Sequence, residues 1–322
     1  MMLKGFPSWL VDALMELQYR FPLVEDPYAV VAERVGVSEE DLLEALKRLK
    51  GEGILKRVGF YFNPRSVGRV AALIAFETGD VERVAEHVSR VLEVTHSYER
   101  RHPRYRLWVV ARGSSVEEIV SRVREVCEKL GCSWLVLPSK KVYRLSVKYD
   151  LKSGVSRAGP YSGVVENPPS PEDIGYSTKL AKALRSLPLE PKPFDVLGKQ
   201  FGLSGGEVVE AAKRMLKVGI LGDPGAALDG HKLGFKVNAM FVLEPASECS
   251  KACRWVVDNL PEATHVVERS VVGGEWPYTC YFMVHAVSEA KLEPIRRRVE
   301  EAPIRRFEVL VSLRDLKPGV IR

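Results

Sequence analysis

The sequence predicts an α+β protein made of two tandem copies of one unit, each a winged helix-turn-helix followed by a ferredoxin-like βαββαβ sandwich, related by a pseudo-two-fold. Three observations carry this. Gly36–Leu55 (GVSEEDLLEALKRLKGEGIL) aligns without a gap on Gly202–Leu221 (GLSGGEVVEAAKRMLKVGIL), and the same offset pairs Pro22, Leu23, Pro27 and Tyr28 with Pro188, Leu189, Pro193 and Phe194, and Gly68 with Gly234. After a short insertion, Thr95-His96 and Glu99-Arg100 pair with Thr264-His265 and Glu268-Arg269. In both copies a helical period comes first, and strands and helices then alternate in one order.

In the first copy, Ser8 is suited to cap a helix with Trp9, Leu10, Ala13, Leu14 and Leu17 on one stripe. A short helix over Tyr28–Arg34 follows. Gly36 makes the turn, and Ser38, with Asp41 three residues on, opens a third helix that buries Leu42, Leu43, Leu46 and Leu49. Gly53–Phe62 reads as the wing, a hairpin after the third helix. The sandwich then reads as strand Val70–Phe76, helix Val81–Leu92, strands Val94–Arg101 and Tyr105–Ala111, helix Val116–Leu130 and strand Trp134–Tyr143. The second copy repeats it with Lys236–Leu243, Cys249–Leu260, Thr264–Val271, Tyr278–His285, Ser288–Glu301 and Arg306–Leu313. The stretch Ser153–Pro171 is rich in proline and glycine without apolar periodicity, as a linker would be. The expected divisions are 1–65 and 66–150 for the first copy, a linker over 151–175, and 176–231 and 232–322 for the second.

Composition narrows the function classes. At 322 residues with 46% hydrophobic and 28% charged residues, the chain has the length and make-up of an ordinary globular protein of about two domains. No apolar run is long enough for a membrane span, and the N-terminal segment carries Lys4, Asp12 and Glu16, so neither a membrane partner nor a signal peptide is expected. Five cysteines, an odd number, argue against a disulfide framework, so a cytoplasmic setting is expected. Cys127/Cys132 and Cys249/Cys253 read as helix-packing residues rather than metal ligands. The net charge of +6 favours an anionic partner, nucleic acid or a small polycarboxylate. There is no metal triad, P-loop, G-x-S-x-G or dinucleotide fingerprint.

A winged helix-turn-helix joined to this sandwich resembles the Lrp/AsnC family of transcription regulators. The third helix argues against DNA as a partner. Glu39, Glu40, Asp41 and Glu44 crowd its start, where a recognition helix should meet bases and phosphates, and the copy offers Gly205, Gly206, Glu207 and Glu210. Lys47, Arg48, Lys213 and Arg214 lie towards the C-terminal ends, where a solvated face explains them equally well.

The densest polar cluster is His96–Arg106 (HSYERRHPRYR). On a strand, His96, Tyr98 and Arg100 share one face, and in the copy His265 and Arg269 share a face with Val267 between them. If the two sandwiches pack sheet to sheet, these faces border one space. Arg101, His102, Arg104 and Trp108 nearby, His231 at the end of the second wing, and Trp276 and Tyr278 ahead of the matching strand complete the candidate substrate-binding set. Arginine is suited to gripping carboxylates and aromatic rings to stacking on a flat macrocycle. Solvated turn charges for Arg101 and Arg104, and core packing for Trp108, Trp276 and Tyr278, are the competing explanations.

At VTHSYERRHPRYRLW and ATHVVERSVVGGEWPYTCYFMVHA, and at FPLVEDPY before the first helix-turn-helix, the chain resembles the siroheme decarboxylases, Lrp/AsnC-like enzymes of alternative heme and heme d1 biosynthesis. The resemblance covers nearly the whole chain, one decarboxylase-type subunit in each half, as in the fused form. It implies that siroheme loses carbon dioxide from its C12 and C18 acetate side chains to give 12,18-didecarboxysiroheme. It implies no cofactor, the iron entering with the substrate, and pairing of the halves within one chain, with further self-association open. On this reading His96 and His265 are candidate proton donors, and Arg100 and Arg269 hold carboxylates or developing charge. The alternatives are an Lrp/AsnC-type DNA-binding regulator and a tetrapyrrole-binding protein without catalysis.

Overall fold

The structure, a computed structural model, describes residues 5–316. The chain forms two compact units, and each draws on both copies of the repeat. One comprises the residues up to Ser66 with Leu145–Lys236; the other comprises Val67–Arg144 with the residues from Val237 on.

In the first unit, α1 (Ser8–Tyr19) buries Leu10, Ala13, Leu14 and Leu17. Pro7 precedes it and no side chain caps it, so Ser8 is its first residue rather than the expected cap. Next, α2 (Pro27–Val35) begins at Asp26, which accepts from the Ala29 amide, and ends at Gly36 in the left-handed conformation, φ 75°. Ser38 accepts from the Asp41 amide at 3.1 Å to open α3 (Glu39–Gly51). The second copy gives α6 (Thr178–Ala183), α7 (Pro193–Gly198) and α8 (Gly205–Lys217), the last started by a Ser204/Glu207 capping box.

The wings depart from expectation. Each copy contributes one strand rather than a hairpin, and β1 (Leu55–Phe62) pairs antiparallel with β8 (Leu221–Leu228) of the other copy. The two helix-turn-helix elements are thereby joined through the backbone groups that a hairpin would have satisfied internally. At the centre of this ribbon Gly59 faces Gly225, whose φ is 128° and where a Cβ would lie 2.1 Å from the Leu17 carbonyl oxygen. Gly225→Ala therefore combines strain with a backbone clash, and is expected to destabilise this unit by about 2–3 kcal/mol. Loss of its thermal transition to a lower temperature checks this.

The proline- and glycine-rich stretch is packed, not free: the Tyr19 hydroxyl donates to the Arg157 carbonyl (3.2 Å), the Gly159 amide to the Ser146 hydroxyl (2.7 Å) and the Asn63 side chain to the Val165 carbonyl (3.1 Å), and the segment just before it is anchored as well. Gln18 exchanges hydrogen bonds with the Tyr149 backbone (3.1 and 2.8 Å), and the Tyr149 ring lies 4.7 Å from Phe235. Buried Lys148 pairs with buried Asp223 at 2.8 Å and donates to the Gln18 and Pro224 carbonyls. A short pair of strands, β6 (Tyr149–Asp150) and β7 (Val155–Ser156), closes the turn. Composition signalled a linker here because the contacts are made by backbone and single polar side chains rather than by an apolar stripe.

The second unit contains both sandwiches, and here the predicted βαββαβ order is found twice. The first is β2 (Val70–Glu77), α4 (Val81–Val91), β3 (Glu93–Arg100), β4 (Leu107–Gly113), α5 (Val116–Leu130) and β5 (Ser133–Leu145). The second is β9 (Val237–Pro245), α9 (Cys249–Asn259), β10 (His265–Arg269), β11 (Cys280–Ala286), α10 (Glu293–Val299) and β12 (Ile304–Asp315). Strand order is β5-β2-β4-β3 in one half and β10-β11-β9-β12 in the other. The halves are stitched at both edges. β12 pairs with β3 (Ser312 opposite Arg100), and β10 neighbours β5, with the Val136 and Val272 amides and carbonyls exchanging 2.9 Å bonds just beyond it. The eight strands thus close on themselves, which removes the edges that a single sandwich would leave unpaired.

Two layers of core follow from the strand period. The helix-facing layer of the first half gathers Ile74, Phe76, Val84, Val88, Leu107, Val109, Ile119 and Val123. The layer between the halves gathers Leu73, Ala75, Tyr105, Trp108, Leu135, Leu137, Met240, Val242, Tyr278, Tyr281 and Leu310.

The cysteines correct the sequence reading. Cys127 and Cys132 form a disulfide across the left-handed turn at Gly131, and Cys253 on α9 is bonded to Cys280 on β11; Cys249 is a free thiol. The second bond joins residues far apart in sequence, which local spacing does not reveal.

Candidate active site

The alternation of β3 places His96, Tyr98 and Arg100 on one face, with Val110 and Trp108 of β4 opposite His96 and Tyr98. On β10 the matching face carries His265, Val267 and Arg269, with Tyr281 of β11 opposite Val267. Since Trp108 and Tyr281 both belong to the layer between the halves, both His/Arg faces look inward to it. The pair Tyr98/Trp108 in one half is answered by Val267/Tyr281 in the other, so the aromatic missing at Val267 is supplied by its cross-strand neighbour.

Each histidine is held the same way. The Thr95 hydroxyl donates to the Val110 carbonyl (3.2 Å) and that of Thr264 to the Met283 carbonyl (3.2 Å), so each threonine oxygen is left to accept from the neighbouring imidazole Nδ1–H, at 3.0 Å for His96 and 3.1 Å for His265. This fixes the tautomer and leaves the ring lone pair on Nε2. The repeated Thr-His dipeptide was the visible signal, but threonine's part in it was not foreseen. Burial, and after it the nearby Arg269 guanidinium, push the His265 pKa down to about 4. The sign of the pH effect follows. The ring is neutral in both folded and unfolded chains above the ordinary histidine value of 6.5, so its stabilising share is complete there. As pH falls from about 6.5 towards about 4 the unfolded chain takes up a proton that the folded one resists, and stability is lost. His265→Gln is expected to flatten that part of the stability-versus-pH curve, as measured by denaturant unfolding between those limits.

The arginines do something other than expected. Arg100 donates to the Leu310 carbonyl (2.9 Å) and to the Asn238 carbonyl and side-chain oxygen (3.3 and 3.1 Å), and Arg269 donates to the Leu137 carbonyl (3.0 Å). All these acceptors lie on the opposite half. Each guanidinium also packs over a tyrosine ring, Arg100 over Tyr98 at 5.1 Å and Arg269 over Tyr281 at 5.4 Å. Burial pushes both pKa values down to about 10, which leaves both charged at neutral pH. Neither is paired with a carboxylate among the described residues, and the Nε of each is buried without a partner. They are clamps between halves that also deliver uncompensated positive charge to the inner layer. The acids of the repeated Glu-Arg pair point the other way. Glu99 meets Arg106 and Arg314, and Glu268 meets Lys140 (2.7 Å) and the Tyr143 hydroxyl (3.0 Å).

The remaining candidates divide. Arg101 and Arg104 are exposed and paired with Glu289 and Glu77, as solvated turn charges are, so they are not part of the inner face. His102 Nδ1 accepts from the Arg104 and Tyr105 amides (3.1 and 2.8 Å), making it the cap of the turn between β3 and β4. Trp108 is buried core, its indole donating to the Tyr105 carbonyl at 2.8 Å. Tyr278 is likewise buried and donates to Glu308 at 2.5 Å. Trp276, only partly buried, donates to the Tyr281 hydroxyl at 2.7 Å and packs against His102, Tyr105, Trp108 and Tyr278, with ring centroids 5.0–5.8 Å apart. These aromatics therefore pack edge-to-face and tilted against one another. His231 is exposed and belongs to the helix-turn-helix unit, whereas the other candidates belong to the sandwich unit. That unit also contains an open cavity of about 770 Å³ lined by Tyr19, Phe21, Arg20, Arg34 and Lys148. Arg20 and Arg34 share the single carboxylate of Glu16 and Lys148 pairs with Asp223, so three cations meet two acids and only one net positive charge faces the cavity.

Comparison with known proteins fits this architecture. The AsnC-like ligand binding domain family matches residues 66–144 and 232–317, and the siroheme decarboxylase NirDL-like HTH domain family matches residues 12–55. The siroheme decarboxylase of Hydrogenobacter thermophilus is 26% identical over 306 residues, 94% of this chain and 90% of that one. The NirDL subunit of Paracoccus pantotrophus is 27% identical over 85% of this chain and 83% of its own. The NirD subunit of Pseudomonas aeruginosa is 33% identical over 141 residues, 44% of this chain and 93% of the subunit. The crystal structure of the siroheme decarboxylase NirDL superposes with a TM-score of 0.63 at 24% identity, covering 96% of this chain and 92% of that one, and NirDL has also been solved with an iron-uroporphyrin III analogue. A whole-length likeness to fused enzymes, with a half-length likeness to a single subunit, matches the internal duplication. The chain belongs to the siroheme decarboxylase family of paired AsnC-like proteins.

Proposed function

We propose that the protein is a siroheme decarboxylase, a carboxy-lyase that converts the C12 and C18 acetate side chains of siroheme to methyl groups and releases 12,18-didecarboxysiroheme. The observation that carries this is the match over 94% of the chain to the siroheme decarboxylase of Hydrogenobacter thermophilus. The chemistry asks for what the inner faces offer. In each step the bond between methylene and carboxylate breaks, carbon dioxide leaves, and the electron pair remains on the methylene carbon, partly delocalised into the pyrrole. One proton then completes the methyl group. The change is redox-neutral, so the reading includes no cofactor beyond the iron that the substrate brings.

His96 and His265 are the proposed proton donors, acting through Nε2 while threonine holds Nδ1. In the empty protein His265 is neutral at pH 7; the carboxylates of a bound substrate favour its charged form and raise its pKa into a useful range. Arg100 and Arg269 stabilise developing negative charge through the inner-layer potential rather than by gripping carboxylates. Tyr98 and Trp276, the partly exposed aromatics, are the proposed macrocycle contacts.

The regulator alternative loses ground to the fold. The strands that would serve as wings are used in joining the two copies, and α3 starts with Glu39, Glu40 and Asp41. No helix among the described residues is long and apolar enough to cross a membrane, and we keep the cytoplasmic setting as part of this reading. The test is anaerobic incubation with siroheme and mass analysis of the extracted pigment. Loss of two carboxyl groups as carbon dioxide is expected. Intact siroheme recovered from pigment-loaded protein would instead identify a binding protein without catalysis.

A further inference from the structure

We infer that Cys249, Cys253 and Cys280 form a redox-gated, three-thiolate site for a soft d10 cation such as Zn(II). Their sulfur atoms all lie within 4.8 Å of one another, with Cys249 Sγ 3.9 Å from Cys253 Sγ. Cys249 opens α9, Cys253 sits one turn further on, and Cys280 opens β11 beneath that helix.

The duplication supplies an internal control. The first half places Val81 at the opening of α4, Ala85 one turn on and Leu107 at the opening of β4, all three buried in its helix-facing core. The fold therefore needs only apolar packing at these positions. A single cysteine there would pass as a small hydrophobe. Three cysteines at three mutually touching positions, in one half alone, make a ligand set.

The chemistry agrees. Three thiolates suit a soft cation and leave a fourth coordination position open. Cys249 is partly exposed, which gives a cation a way in. A bound cation displaces the thiol protons directly. The Cys253–Cys280 disulfide is the closed state. A dithiol or phosphine reductant delivers two electrons, and with two protons from solvent yields two thiols; cation entry then releases one proton from each of the three thiols.

The test uses the full chain, reduced anaerobically with a phosphine, desalted and titrated with Cd(II) as a spectroscopic probe, with Zn(II) as competitor. The reduced chain should take up about one Cd(II) with thiolate-to-metal charge-transfer absorption, displaced by Zn(II). Cys249→Val, which installs the first half's residue, should weaken binding at least about tenfold, and Cys280→Leu should do the same. The double variant Cys127→Ser/Cys132→Ser should bind as wild type, and the unreduced chain should bind at least about tenfold more weakly. Circular dichroism confirms that each variant is folded. No uptake by the reduced chain, equal uptake by the unreduced chain, unchanged binding by the folded Cys249→Val protein, or loss of binding in the Cys127/Cys132 variant would each overturn the proposal.

Discussion

His96→Ala and His265→Ala should each lower the rate of siroheme decarboxylation by about a hundredfold or more, the range expected when a positioned proton donor is removed. Protein stability near pH 7 should change little, because the hydrogen bond of each ring to its threonine is to an adjacent residue and His265 is neutral there. Rate and stability are thus separable, and kcat should fall more than substrate affinity. The two variants need not be equal. Tyr98 flanks His96 on its strand, with ring centroids 6.3 Å apart, whereas Val267 occupies that place beside His265. A different macrocycle contact beside each donor lets one half prefer one acetate. Single-turnover kinetics under anaerobic conditions measure both rates. Wild-type rates in both variants would remove the proton-donor assignment.

Arg100→Ala and Arg269→Ala carry the largest cost in stability, about 3–5 kcal/mol each. Arg100 satisfies the carbonyls of Leu310 and Asn238 from across the interface between halves, and its loss strands those acceptors in a buried layer. Arg269 does the same for Leu137. Lysine should restore little, since one ammonium cannot reproduce a planar guanidinium that donates across the interface while packing over Tyr98 or Tyr281. Denaturant unfolding of the sandwich unit measures the loss. A variant with wild-type stability and reduced affinity for substrate would instead restore these arginines as carboxylate grips.

Local signals made much of the molecule legible. The helix-turn-helix was readable because its caps and turns are set by neighbouring residues, Ser38 with Asp41 and Gly36 in the first copy, and the ungapped alignment carried that reading to the second. The sandwich was readable from the strand and helix periods, and the strand period also placed His96 with Arg100 and His265 with Arg269 on common faces. What those faces meet was not readable. The partners of Arg100 lie on β9 and β12, more than a hundred residues away, and nothing near Arg100 announces them. The same holds for β1 with β8, where a hairpin wing is the local expectation and a cross-copy ribbon is the outcome. Arg101 and Arg104 drew attention by density alone, and density does not distinguish an inner face from an exposed turn.

We propose that these duplicated inner faces perform the decarboxylation. The carboxyl count of the pigment recovered after anaerobic incubation of siroheme with wild type and with the His96→Ala/His265→Ala double variant decides this. Wild type should return pigment lighter by two carbon dioxide molecules, and the folded double variant should return siroheme unchanged. Fully decarboxylated pigment formed by the double variant at the wild-type rate would contradict the claim.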